Sequence, residues 1–491
     1  MAPEPGAIEP EPPEAPGADG HDPARRRFFR SFGRQAFDTA AQVVGITGAV
    51  SKATTQVAVN VAGIIADPDG TAERLSAEPD EPEAAAAPAG ASGPPVSHRS
   101  PYRLAGDTLH LLDQRSLPGR LEEQVCRRGS DVAFYARVGA VAGGALLGQL
   151  AAYGLALTAR EVVPRSHPAR LAEWGRVLRT LRGMRSESRM LEVALARMDA
   201  LHASYGPDAD PDRIARDLRA EADRIAMESQ LDHATIARTI AARLPCPDER
   251  PLGVLVHGAP GTSTAGMVGG ALNALALVAQ EGRPMQVWLT EGGPALPGPR
   301  LAAWELGNHG IEPVIVPDAA VGSLLDTQPV DIVLLGAERI SVDGEVANVV
   351  GSRVVAELAA AARRGPVPVW VAAPAEAIDP ATAETPIVVG ELRPAREILT
   401  YRTGWKPDRP AAYIPVLDIV PADRVALVVT EIGVTEPGPG TLAPVLAARL
   451  ARRPAPPAPW QPAPGEPEPA GEPERAGEPE REPAAEPGAP A

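Results

Sequence analysis

From residue 251 onward, short apolar runs alternate with stretches of helical periodicity, and this alternation restricts the fold more than any other feature of the chain. The strand candidates are residues 253–257, 285–290, 313–316, 331–335, 367–372 and 425–430, with helix candidates between them at 262–280, 298–306 and 348–363. Strands separated by helices cannot pair as hairpins. They form a mostly parallel sheet covered on both faces, so the expected class is α/β. In such sheets ligands bind outside the carboxyl ends of the strands, which directs attention to the strand-to-helix turns.

Residues 101–244 read as a folded helical domain ahead of that sheet. Residues 107–112 alternate enough to form a strand. Residues 138–157, rich in Ala, Gly and Leu, predict a closely packed buried helix; the interrupting glycines and Gln149 argue against a membrane span. Residues 171–201 and 211–244 carry apolar side chains at three- and four-residue steps with Arg and Glu between, the pattern of amphipathic helices.

Proline and charge concentrate in residues 1–22, 78–95 and 454–491, which bury too little apolar surface to offset chain entropy and are expected to be disordered. The formal net charge of −16 belongs to these acidic tails and to the four acids of residues 78–83 within the linker at 67–100, and the rest of the chain is neutral. That balance argues against nonspecific nucleic-acid binding by the whole chain, and no specific nucleic-acid partner is expected. Residues 24–66 open on Arg25-Arg26-Arg27-Phe28-Phe29-Arg30 and continue as a mildly apolar run. Three readings stay open there: an amphipathic helix docking on a membrane surface or a protein partner, a helix packed on the chain's own core, or an export or anchor signal. Asp38, Lys52 and Asn60 within the run, and the absence of a small-residue cleavage site, weigh against the third. Two cysteines, Cys126 and Cys246, give no disulfide framework and no metal-ligand spacing, which fits a reducing, cytoplasmic compartment. No metal site is expected.

Two turns can carry chemistry. The first, His257-Gly258-Ala259-Pro260-Gly261-Thr262-Ser263-Thr264-Ala265-Gly266, ends on a helix N-terminus whose free N–H groups and hydroxyls suit an anion. It lacks the Gly-Lys-Ser/Thr of a phosphate-binding loop and the glycine spacing of a dinucleotide fingerprint, and a tight turn with a helix cap explains it equally. The second, Gly336-Ala337-Glu338-Arg339-Ile340, follows a buried strand and places Glu338 at the crevice. A carboxylate there can act as general acid or base; alternatively Glu338 pairs with Arg339 or a neighbouring arginine. Asn348 is a candidate cap for the next helix. Arg300 can reach a phosphate or solvate its helix.

Several segments, in order, resemble the methylthioribose-1-phosphate isomerase and translation initiation factor 2B-type family. Leu112-Asp113-Gln114-Arg115-Ser116-Leu117-Pro118 is similar to its opening Leu-Asp-Gln-x-x-Leu-Pro, and Ala151-Ala152-Tyr153-Gly154 to its Gly-x-x-Ala-Ala-Tyr-Gly helix. Arg300-Leu301-Ala302-Ala303-Trp304-Glu305-Leu306 matches an Arg-Leu-x-Ala-Trp-Glu-Leu stretch. Residues 336–340 and 344–348 resemble Gly-Ala-Asp-Arg-Ile and Gly-x-Val-Ala-Asn, and 415–421 and 430–434 resemble its closing motifs. The resemblance spans about residues 101–435. It implies a helical N-terminal domain at 101–244, a Rossmann-like, doubly wound domain at 250–435, a homodimer, an aldose 1-phosphate substrate, and no metal or nucleotide cofactor.

The family's catalytic Cys-Asp pair maps onto Gly258 and Glu338: the thiol position has become glycine, and the carboxylate is one methylene longer. By the same resemblance the ligand-facing residues are Arg185, His257, Gly261, Thr262, Arg300 and Asn348. A family phosphate-binding arginine falls near Ala142, a substrate-binding glutamine on Pro297, and a lysine on Val349. Two functions follow: a diverged sugar-phosphate isomerase whose acid/base is Glu338, with the parent reaction lost or altered, or a noncatalytic member that binds a small phosphorylated ligand or a protein partner.

Overall fold

The computed structural model describes residues 97–98, 100–184, 187–394, 396–399 and 412–452. The expected acidic tail at 1–22, the basic helix at 24–66, nearly all of the linker at 67–100, Arg185 and the Pro/Glu-rich tail at 454–491 lie outside the described residues.

Three antiparallel strands come first: β1 (Tyr102–Ala105), β2 (Thr108–Leu112) and β3 (Glu123–Cys126). Five helices follow: α1 (Gly129–Arg137), α2 (Gly144–Glu161), α3 (His167–Arg182), α4 (Arg189–Ala203) and α5 (Pro211–Arg243). The helix expected from 138 starts at Gly144, because Val138 caps α1 and Gly139 and Gly143 take positive φ. From Gly144 to Ala159 every residue of α2 is buried, as an all-round apolar helix requires. Gln149 is satisfied there: the Tyr102 hydroxyl donates to its Oε1 (2.8 Å), and its amide donates to the Ala265 carbonyl (2.7 Å) and the Ser229 hydroxyl (2.9 Å). Helix α5 begins as its sequence dictates, with Asp210 accepting from the amides of Asp212 and Arg213 and Pro211 in the first turn.

The second half contains β4 (Leu252–Val256), β5 (Met285–Thr290), β6 (Val314–Val316), β7 (Ile332–Leu335), β8 (Arg339–Ser341) and β9 (Val346–Val349). It ends with β10 (Val369–Ala372), β11 (Ile378–Asp379), β12 (Leu417–Val420), β13 (Leu427–Val429) and β14 (Val434–Thr435). Its longer helices are α6 (Ala271–Gln280), α7 (Ser352–Ala360) and α8 (Ala443–Arg452). The main sheet runs β14-β13-β10-β7-β4-β5-β6, parallel except for the β13–β14 pair. Its strands alternate between two cores. Leu255, Val333 and Val371 pack with Val355 and Ala359 of α7; Val256, Leu334 and Trp370 pack with Ile236 of α5 and Leu272 of α6. The fold is α/β with a mostly parallel sheet covered on both faces.

The order of the strands fixes the crevice. From β4 the chain builds outward through β5 and β6, then returns to the other side of β4 for β7, β10 and β13. Crossovers leaving β4 and β7 therefore diverge, and their carboxyl ends face an open crevice. A smaller sheet, β11-β8-β9-β12, grows from the residues just after β7.

Two helix expectations are corrected. Residues 262–280 split into a one-turn helix (Thr262–Ala265) and α6, because Gly266-Met267-Val268-Gly269-Gly270 holds three glycines, each costing a helix about 1 kcal/mol against alanine. Residues 348–363 begin as strand β9, which pairs with β12, and turn helical only at Ser352.

Helix α8 is tied to the body through Arg449, buried among Asp232 (2.8 Å), Glu228 (3.4 Å), Glu431 (3.5 Å) and Glu376 (3.6 Å). Burial, reinforced by the neighbouring carboxylates, pushes the Asp232 carboxyl up to about 7, against the pull of Arg449. The folded state thus holds this proton more tightly than the unfolded chain. Its stabilising contribution is complete below about pH 4 and is lost as pH rises through about 7. Asp232→Asn is expected to gain stability relative to the wild type by on the order of 1–2 kcal/mol between pH 5 and pH 8 in urea denaturation. A difference that does not change with pH would refute this assignment.

Candidate functional site

A cavity of about 160 Å³ opens at the β4/β7 switch. His257 and Gly258 continue β4 into its floor, and Gly336, Ala337 and Glu338 continue β7. Ala142, Gly143 and Gly144 at the start of α2, and Met190 of α4, line it from the helical layer, while Val349 and Leu417 line it from the smaller sheet. Most of the wall is small and apolar, so the few polar groups decide what the cavity can hold.

Glu338 is anchored at both its backbone and its side chain. Its N–H donates to the Ala347 carbonyl (2.9 Å) and its own carbonyl accepts from the Arg189 amide (3.1 Å). Carboxylate Oε1 accepts from the Gly144 N–H (3.0 Å), which places a negative group on the first turn of α2, where the helix dipole favours it. The other oxygen, Oε2, is buried without a hydrogen-bond partner among the described residues. This placement of the carboxylate uses the space a side chain at residue 144 would take: a Cβ there would lie 2.1 Å from Glu338 Oε2. The alternative pairing with Arg339 does not occur. That guanidinium contacts Asp379 and, at 3.1 Å, Glu192.

His257 is fully buried. Its Nε2 lies 3.1 Å from the Val350 carbonyl, which can only accept, so the proton sits on Nε2 and Nδ1 accepts from the Thr290 hydroxyl (2.7 Å). Burial lowers its pKa, which keeps the ring neutral. Gly258, next in the chain, has φ +80°, and a Cβ there would come 3.0 Å from Val349 Cγ1. Neither cysteine lines the cavity: Cys126 is buried in β3 and Cys246 is exposed.

Comparison with known proteins places this architecture. The model of the initiation factor 2 subunit family matches residues 147–437. The chain belongs to that family. Over 338 residues it is 34% identical to the methylthioribose-1-phosphate isomerase of a Synechococcus species, a match covering 68% of this chain and 94% of that one. It is 35% identical over 338 residues to the isomerase of the same name from Chloroflexus aurantiacus, covering 67% and 93%. Among solved structures it is similar to 5-methylthioribose 1-phosphate isomerase from Pyrococcus horikoshii OT3, with a TM-score of 0.61, 26% identity and coverage of 72% of this chain and 96% of that one. It is also similar to the delta subunit of translation initiation factor eIF-2B from A. fulgidus, with a TM-score of 0.58, 27% identity and coverage of 71% and 99%.

Within this family member, His257, Gly258, Glu338 and Asn348 line one cavity. The expected anion cradle at Thr262–Thr264 is already filled. Fully buried Glu305 accepts from the Thr262 N–H (2.9 Å) and from the Ser263 N–H (3.4 Å) and hydroxyl (3.3 Å), and a Cβ at Gly261 would strike it at 2.4 Å. The Thr262 hydroxyl donates to the His98 carbonyl (2.5 Å). Gly261 and Thr262 therefore stand behind the cavity wall. Arg300 is outside the lining too, donating to the carbonyls of Ala295 (2.9 Å) and Gln114 (2.5 Å). Asn348 does not cap the next helix; it donates to the Ser352 hydroxyl (3.0 Å), and Asp418 accepts from the amides of Gly351 (2.8 Å) and Arg353 (3.2 Å) instead.

Two lining groups had no signal in the sequence. Arg393 is the one arginine or lysine on the cavity among the described residues, and it comes from the segment before β12. His233 comes from the middle of α5, one amphipathic position among many. Among the described residues no cluster of His, Cys, Asp and Glu could hold a metal, and no helix is long and apolar enough to cross a membrane.

Glu305→Ala is expected to destabilise the fold by about 1–3 kcal/mol, because two buried amides lose their acceptor. Urea denaturation measures this; a loss under about 0.5 kcal/mol would mean the turn stands without the carboxylate.

Proposed function

We propose that this protein binds a small phosphorylated sugar derivative in the cavity between Gly258 and Glu338, and does not carry out the aldose–ketose isomerisation of its relatives. Moving a proton between two neighbouring carbons needs acid and base groups on the reacting atoms. Glu338 supplies a carboxylate on one wall. The position facing it carries no side chain, and no thiol lines the cavity. That missing thiol is the observation that carries the reading. His257 does not replace it, since both of its ring nitrogens already have protein partners. Arg393 is the group assigned to the phosphate. A homodimer belongs to this reading on the family resemblance alone, as does partner or membrane-surface attachment through residues 25–66 on their sequence.

A second reading, an isomerase with altered chemistry centred on Glu338, is favoured by the unpartnered Oε2. One experiment separates the two. Calorimetry on the full chain with methylthioribose 1-phosphate is expected to show binding, and product analysis no conversion above buffer. Conversion that disappears in Glu338→Gln would establish the second reading instead.

Gly258→Cys is expected to lower stability by about 1–2 kcal/mol, since an L-residue at φ +80° is held in the left-handed region against Val349. Thermal or urea denaturation reads this directly; a Cys variant as stable as the wild type would show that the turn adopts another backbone conformation freely.

A further inference from the structure

We propose that His233 is a specificity residue of this cavity, a neutral acceptor that selects ligands carrying a hydroxyl group. The proposal rests on the cavity being a ligand site, and it concerns which chemistry the site prefers.

His233 is 5% exposed and lines the cavity from α5. Its Nδ1 lies 2.8 Å from the Ser229 carbonyl one turn earlier. A carbonyl only accepts, so Nδ1 carries the proton and Nε2 is left as a lone pair. Nε2 has no partner among the described residues. The edge of the ring beside Nε2 faces Gly270, where a Cβ would come within 3.8 Å of Cδ2; Gly270 itself lines the cavity. Burial lowers the pKa of the ring, with no charged neighbour opposing it, so the imidazole stays neutral and accepts. The charged groups of the cavity are Glu338 and Arg393, and along α5 the adjacent Asp232 and Glu228 are engaged with Arg449.

Glu338, which lines the same cavity, carries a second acceptor without a partner among the described residues, Oε2, buried against Gly144. A buried acceptor left unpaired is unfavourable, and the remaining wall is largely alanine, proline, glycine and aliphatic side chains that offer no donor. Two such acceptors on one small cavity are complementary to a ligand that brings its own donors. Hydroxyl groups of a polyol meet that need, while Arg393 suits an anionic end. A ligand with a phosphate but no hydroxyl would leave both acceptors unpaired.

The test uses the full chain, calorimetry, and two probes: ribose 1-phosphate and propyl phosphate, which lacks hydroxyls. The wild type is expected to bind ribose 1-phosphate more tightly than propyl phosphate. His233→Leu is expected to weaken ribose 1-phosphate binding about tenfold and leave propyl phosphate unchanged. His233→Gln, whose amide oxygen can stand near the Nε2 position, is expected to recover most of the loss. Equal weakening of both probes by His233→Leu would reduce His233 to a structural residue and overturn the proposal, as would an unaltered affinity for ribose 1-phosphate. If the wild type binds neither probe, the ligand-site reading fails as well. Preference for an aminoalkyl phosphate over ribose 1-phosphate would show that the acceptors serve an ammonium group and would also overturn it.

Discussion

A parallel sheet buried on both faces leaves one place where backbone, side chains and open space coincide. Parallel neighbours cannot be joined by hairpins, so each strand must be followed by a crossover, and at β4 and β7 those crossovers depart in opposite directions. The crevice between them is a consequence of strand order. The cavity, the turn after β4 and the carboxylate after β7 all depend on it. The helical layer completes the site by bringing the N-terminus of α2 against Glu338 and lining the cavity with Met190.

Three carboxylates near this crevice behave differently, and their partners explain why. Glu305 has every oxygen engaged by the Thr262 and Ser263 donors and works as an internal acceptor in the turn. Asp418 holds the amides of Gly351 and Arg353 and fixes the start of α7. Glu338 is half engaged, with one oxygen on α2 and one without a partner. It is the one of the three placed to meet a ligand. Asp232, behind the wall, belongs to the Arg449 cluster and bears on how α8 is held.

Much of the fold was legible in the sequence. All six apolar runs proposed as strands in the second half lie within two residues of their observed bounds, and Met285–Thr290 agrees at both ends. Period-two and fully buried runs report local geometry directly, so they survive into the fold. One error falls where tertiary pairing prevailed over local preference, the other where a local break was passed over. Residues 346–349 are a strand because β12 lies beside them, and the helix at 262–280 is broken by its glycines. In the site, His257, Gly258 and Glu338 were legible as residues at or just after strand ends, whereas Asn348 was read as a helix cap and lies in strand β9. Thr262 and Arg300 are engaged by internal partners that local sequence does not mark, since an N-terminus or a guanidinium looks free until its partner is seen.

The sequence by itself determined the α/β class, the parallel sheet and the family, and it placed a glycine and a glutamate just after the ends of two neighbouring strands. These follow from periodicity and from residue order, which are local properties of the chain. Tertiary structure decided which polar atoms are taken and which are left for a ligand. Glu305 filling the turn, Gly144 making room for the Glu338 carboxylate, and His233 and Arg393 entering the cavity from distant segments all depend on packing between elements far apart in sequence. A hydrogen-bonding group carries no mark in the sequence of the partner it will find, and only the folded chain shows where one is missing.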